Sequence, residues 1–189
     1  MSLEIIKQSL IEAPIVKKGE YYYIVHPITD GVPEIKPELL NEVVEEMQKR
    51  IEKCGPFNKI VTIEAMGIPI ASALSLKMKI PFVIIRKRSY GLSDEVEVKQ
   101  KTGYSKSKLY INGLKKGDRI IIVDDVLSTG GTLSAIISSI KRLGVIINGI
   151  FIAVDKGNVA KKLIEKFKIK IDILVNIDIV DDKILIKNI

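Results

Sequence analysis

Residues Ile120 to Thr132 read Ile-Ile-Ile-Val-Asp-Asp-Val-Leu-Ser-Thr-Gly-Gly-Thr. An apolar strand delivers two adjacent carboxylates, then a run of small and hydroxyl residues that opens a helix. A turn of this kind points backbone N–H groups into a concavity that suits phosphate. The helix start behind it adds a favourable dipole. Thr129 and Thr132 add hydroxyl donors, and Gly130 and Gly131 allow close backbone approach. Asp124 and Asp125 are acceptors, so they suit sugar hydroxyls rather than phosphate oxygens. Helix capping alone explains one Thr, but not Asp-Asp, Gly-Gly and both Thr together. There is no lysine where a Walker A loop needs one, and no G-x-G-x-x-G fingerprint.

This thirteen-residue stretch closely resembles the phosphoribosyl pyrophosphate signature of type I phosphoribosyltransferases. The resemblance implies that Asp124 and Asp125 hold the ribose 2′- and 3′-hydroxyls. It implies that Val126, Leu127, Ser128, Thr129, Gly130, Gly131 and Thr132 cradle the 5-phosphate.

Five further segments resemble parts of the same family. Glu64-Ala65-Met66-Gly67 resembles the pyrophosphate loop of the adenine and xanthine enzymes. Met66 stands where adenine enzymes commonly carry Arg, which leaves backbone N–H donors at that point. Arg86 and Lys87, followed by Arg88, place cations at a strand end, where they suit a pyrophosphate leaving group. In related enzymes such residues reach the neighbouring subunit, which implies a homodimer. Lys101 to Lys106 resembles the mobile loop that closes over the leaving group, with Tyr104 and Ser105 as its contacts. His26-Pro27-Ile28-Thr29-Asp30 resembles the hood that covers the base, with His26 either a base contact or a structural turn residue. Asp155-Lys156 matches the place where 6-oxopurine enzymes put a lysine near O6, and a lysine there can only donate.

The resemblance, closest to the archaeal hypoxanthine/guanine type, implies that IMP or GMP is made with release of pyrophosphate. The C1′–O bond largely breaks before purine N9 attacks from the opposite face. Mg²⁺ is the implied cofactor, met by Asp124 and Asp125 through substrate or water. The general acid/base is not assigned. Ser128 stands where many hypoxanthine–guanine enzymes carry Asp, and Lys106 or Ser107 where adenine enzymes carry Glu. Asp124, Asp125 or a water is left for that role. The alternatives are an adenine, xanthine or orotate enzyme, and a non-catalytic regulator that binds the same sugar phosphate.

These residues need a scaffold, and the apolar pattern supplies one. Short apolar strands at residues 59–63, 81–85, 119–123, 145–154 and 171–175 alternate with helical spacing at 67–77, 133–143 and 159–167. Strands apolar throughout and separated by helices predict an α/β fold with a central parallel sheet covered on both faces. Ligands of such sheets bind outside the carboxyl ends of the strands. A strand is expected at 19–26, a turn-rich segment at 27–37 and a helix at 38–53. Residues 86–112 read as a protruding loop or hairpin. The 189 residues suit a single domain, with hood elements at about 1–36 and 155–189 around a core of about 37–154.

Apolar residues make up 47% of the chain, and no run is long enough to span a bilayer. Cys54 and His26 are the only residues of their types, which excludes an internal disulfide and disfavours zinc. A cytoplasmic protein is expected. The net charge of +7 comes from scattered lysines with no recognition module, so small polyanionic substrates are expected rather than nucleic acid.

Overall fold

The computed structural model describes residues 3–19, 21–98, 108–181 and 183–187. The expected sheet is present. Strands β3 (Lys59–Ile63), β4 (Phe82–Ile85), β7 (Arg119–Leu127), β8 (Ile146–Lys156) and β9 (Ile171–Val180) run parallel, and β10 (Lys183–Lys187) closes one edge antiparallel. The order is β10-β9-β8-β7-β3-β4. Residues 60–63, 120–123 and 149–155 are all buried, which explains why these strands carry no polar alternation.

Helices cover both faces. On one, α3 (Pro37–Ile51) and α4 (Gly67–Met78) bury Val43, Met47, Ile51, Ile70 and Leu74 against Ile60, Ile121 and Phe151. On the other, α5 (Gly131–Arg142) and α6 (Val159–Phe167) bury Ile136, Ile137, Ile140 and Leu163 against Val61, Ile122 and Ile150. Asp118 fastens the amino-terminal ends of two central strands. It accepts from Lys59 Nζ at 2.6 Å, Asn58 Nδ2 at 3.0 Å and Lys115 N at 2.9 Å.

Four local expectations change. The strand expected at 19–26 is a hairpin, β1 (Ile15–Lys18) with β2 (Tyr21–Ile24). The turn-rich segment holds a short helix, α2 (Pro27–Asp30). An amphipathic helix, α1 (Glu4–Ile11), precedes them and buries Ile6 and Leu10. The fourth change bears on the site. Strand β7 continues four residues beyond Val123, so Asp124, Asp125, Val126 and Leu127 are strand residues rather than the start of a loop. Their ladder with β8 accounts for this: Asp124 pairs with Ile152, Val126 with Val154 and Leu127 with Asp155. The expected hairpin at 86–112 is β5 (Val96–Val98) with β6 (Leu109–Ile111).

Candidate active site

The carboxyl ends of β3, β4, β7 and β8 meet at one edge of the sheet, and the sequence motifs meet there with them. A cleft of about 180 Å³ is lined by Glu64, Asp124, Asp125, residues 126–130 and Thr132. Hollows of about 720 and 610 Å³ lie among the N-terminal elements and β10, and neither borders the paired carboxylates.

The turn after β7 is short, Ser128 to Gly130, and α5 begins at Gly131. Gly130 caps the helix in the left-handed region, φ 75°, and no side chain caps the first turn. Capping by Thr129 or Thr132 is therefore not what these residues do here. The start of α5 lines the cleft at Gly130 and Thr132, and its N-cap residue offers no side-chain acceptor. Gly130 also has a packing reason. A Cβ there would lie 2.6 Å from Val159 Cγ1, so α6 could not approach.

Asp125 is 7% exposed, and Asp124 beside it is half-buried. Burial, and then the charge of Asp125, hold the Asp124 carboxyl well above the usual range. Burial likewise raises Asp125. A hydrogen bond with Asp124 and the Lys156 ammonium oppose that rise, and the Asp30 charge adds to it. Such a pair is poorly satisfied alone and gains from hydroxyl donors or a cation. The residues fit Mg²⁺ in one way only. Among the described residues no group of three or more His, Cys, Asp or Glu could hold a metal. The two carboxylates would share the ion with substrate oxygens and water, the usual manner for Mg²⁺.

Glu64 follows β3, and the Glu64–Ala65 peptide is cis. The two residues expected to meet pyrophosphate are paired with each other. Arg86 Nε lies 2.7 Å from Glu64 Oε2, although its N–H is not aimed along the contact, and Lys87 N donates to the same oxygen at 3.3 Å. The Arg86 backbone is bonded both ways to Tyr110 of β6, which ties this strand end to the hairpin. Ala65 is exposed. Met66 packs under the hood: a Cβ on Gly31 would lie 3.2 Å from Met66 Cε. Gly67 is sterically required, since a Cβ there would collide with Thr62 Oγ1 and lie 2.6 Å from Asp124 Oδ1.

His26 corrects an expectation. It is 0% exposed. Its Nδ1 accepts from Ile28 N at 3.2 Å, so Nε2 carries the proton and donates to Ser9 Oγ at 2.9 Å. Both nitrogens are spent inside the hood, and burial lowers its pKa to about 4 against the opposing pull of Asp30. His26 is a structural residue, not a base contact. The residue the sequence reading missed is Asp30. One of its oxygens, Oδ2, is anchored by His26 N at 3.0 Å and Thr29 Oγ1 at 2.6 Å. Its charge acts on both Asp125 and Lys156. Burial lowers the Lys156 ammonium while Asp30 and Asp125 raise it. The signal was present in the hood motif, but only the fold brings residue 30 near residues 125 and 156. Tyr104 and Ser105 lie outside the described residues.

Comparison with known proteins gives the family. The phosphoribosyl transferase domain family matches residues 34–181. The chain belongs to the phosphoribosyltransferases. It is 52% identical over 182 residues to the hypoxanthine/guanine phosphoribosyltransferase of Methanocaldococcus infernus, covering 96% of this chain and 99% of that one. It is 50% identical over 185 residues to the protein of the same name from Methanocaldococcus jannaschii, with coverage of 96% and 99%. Among solved structures, adenine phosphoribosyltransferase from Thermoanaerobacter pseudethanolicus superposes with a TM-score of 0.73 at 25% identity, covering 93% and 99% of the two chains. The Saccharomyces cerevisiae adenine enzyme gives 0.76 at 19%, covering 91% and 97%. Among the described residues no helix is long and apolar enough to cross a membrane.

Proposed function

We propose that this chain is a purine salvage enzyme that transfers the phosphoribosyl group of phosphoribosyl pyrophosphate to hypoxanthine or guanine, releasing pyrophosphate. One arrangement carries the reading. The acidic end of β7, the Ser128–Gly130 turn and Thr132 line one cleft, and Lys156 stands at the next strand's end within electrostatic reach of Asp125.

The roles follow from chemistry. Asp124 and Asp125 accept from the ribose 2′- and 3′-hydroxyls. Main-chain N–H groups of residues 128–132 and the Thr hydroxyls receive the 5-phosphate. Main-chain N–H groups of the Glu64–Gly67 turn, with Arg86 and Lys87, receive the pyrophosphate, and Arg86 exchanges Glu64 for the incoming anion. Mg²⁺, when bound, neutralises charge on the leaving group. As the C1′–O bond breaks, its electron pair leaves with pyrophosphate, and purine N9 supplies the new pair to C1′ while its proton passes to Asp124, Asp125 or a water. The protein positions the partners and screens charge. Tyr104 and Ser105 would close over the leaving group.

Base choice rests on Lys156 and Asp30. A 6-oxopurine presents an acceptor at O6 and a donor at N1–H. Lysine can only donate and an ionised carboxylate can only accept, so this pair matches hypoxanthine and guanine and mismatches adenine at both positions. The adenine enzymes share the fold, but base selection lies in side chains at the strand ends, which a superposition does not compare. The protein acts as a cytoplasmic homodimer in this reading.

The test is a panel of bases with labelled phosphoribosyl pyrophosphate and Mg²⁺. Hypoxanthine and guanine should be converted and adenine left. Preference for adenine would overturn the base assignment. Ligand binding without turnover of any base would favour a regulator.

A further inference from the structure

We propose that Thr62 of β3 is a positioning residue for Asp124, its hydroxyl donating to the carboxylate and fixing the rotamer that receives the ribose. The inference rests on the reading above and names a residue that no motif in the sequence singled out.

Thr62 is the only polar side chain in β3 that is fully buried, at 0% exposure, and its strand neighbours Ile60, Val61 and Ile63 are buried aliphatics. Its Oγ1 has no hydrogen-bond partner among the described residues. A valine has nearly the same shape and would leave no donor stranded, so packing alone gives no reason for the hydroxyl. The location supplies one. Thr62 pairs through its backbone with Val123, the residue immediately before Asp124. The Cβ that Gly67 lacks would collide with Thr62 Oγ1 and lie 2.6 Å from Asp124 Oδ1 and 3.3 Å from Asp124 Cα. The two oxygens thus border one point beside residue 67, where no Cβ fits between them.

Chemistry decides what passes between the two oxygens. Asp124 has a second carboxylate beside it in the chain, Asp125, which cannot donate to it when both are ionised. Thr62 is a neutral donor, and its Oγ1 borders the same point in space as Asp124 Oδ1. With Oδ1 held from the strand side, the other oxygen stays turned to the ligand. Asp125 is the other hydrogen-bond partner of Asp124, and Asp125 is itself assigned to the sugar, so Thr62 is the contact that does not change when the sugar leaves.

The experiment compares wild type, Thr62→Val and Thr62→Ser. Binding of phosphoribosyl pyrophosphate with Mg²⁺ is measured by titration calorimetry, and kcat and KM by steady-state assay. Thr62→Val should stay folded and unfold cooperatively, because valine keeps the shape of a residue that is 0% exposed. Its Kd for phosphoribosyl pyrophosphate should rise about tenfold, the order of one hydrogen bond to a charged group. KM for hypoxanthine should stay unchanged, and Thr62→Ser should restore the sugar-phosphate affinity. Wild-type affinity in Thr62→Val overturns the proposal, as does Thr62→Ser binding as weakly as Thr62→Val. If the valine variant does not fold, Thr62→Ser against Thr62→Ala gives the same comparison of hydroxyl with none. Failure of wild type itself to bind the sugar phosphate would instead sink the assigned function, and this inference with it.

Discussion

Arg86 Nε sits 2.7 Å from Glu64 Oε2, so two residues assigned to the leaving group hold each other in the ligand-free protein. Glu64 is an anion beside a site for a polyanion, and Arg86 is the cation it occupies. Glu64→Gln should therefore tighten product inhibition by pyrophosphate severalfold, and Arg86→Ala should weaken it about tenfold or more. Stability should shift by less than about 1 kcal/mol in either variant, since the pair is partly exposed. Inhibition constants for pyrophosphate check both. Weaker inhibition in Glu64→Gln would mean that Glu64 orients Arg86 and does not mask it.

Gly67 adopts no left-handed backbone that demands glycine, yet a Cβ there would lie 2.6 Å from Asp124 Oδ1. Gly67→Ala should cost about 1–3 kcal/mol as an overpacked site. It should also weaken phosphoribosyl pyrophosphate binding, because Asp124 must shift. Urea unfolding and calorimetry read the two effects, and unaltered binding with unaltered stability would disprove the contact.

Asp125→Ala should lower kcat by at least about 10²–10³-fold, the range for losing one preorganised polar contact at a reacting centre. The variant should be no less stable than wild type, because burial already disfavours the ionised form of Asp125. Near-normal turnover would refute the sugar-binding role.

Lys156→Ala should raise KM for hypoxanthine while leaving phosphoribosyl pyrophosphate binding close to normal. Asp30→Asn should narrow the discrimination against adenine, because an amide can donate where the carboxylate could only accept. Parallel KM measurements on hypoxanthine, guanine and adenine separate these effects. A parallel fall in sugar-phosphate binding would place either residue outside the base site.

His26 gives the protein an acid-sensitive hood. Its folded pKa is about 4 and its ordinary value 6.5. The stability of the neutral ring is fully present above pH 6.5. Below that, the unfolded chain takes up a proton that the folded chain refuses, and about 3 kcal/mol is lost by pH 4. His26→Asn keeps an acceptor for Ile28 N and should flatten this slope in urea unfolding across pH 4.5–7.5. An unchanged slope would show that other groups set it.

Much of this was written locally. The buried strands at 59–63 and 119–123 and the helix at 159–167 come from runs of apolar residues whose period neighbours alone determine. The Asp-Asp and Thr-Gly-Gly-Thr cluster is contiguous, so its chemistry can be read without folding the chain. Local pattern failed where distant partners decide. Helix α1 and strand β10 are short elements whose order comes from packing on α3 and pairing with β9. Strand β7 runs on through Asp124 and Asp125 because β8 supplies a ladder there. His26 and Asp30 are four residues apart with opposite fates, one sealed with both nitrogens bonded, the other exposed near Lys156. The sequence alone determined which groups could bind a sugar phosphate. Only the tertiary structure decided which of them face the cleft, because burial and partnership depend on chain segments far apart in number and joined in space.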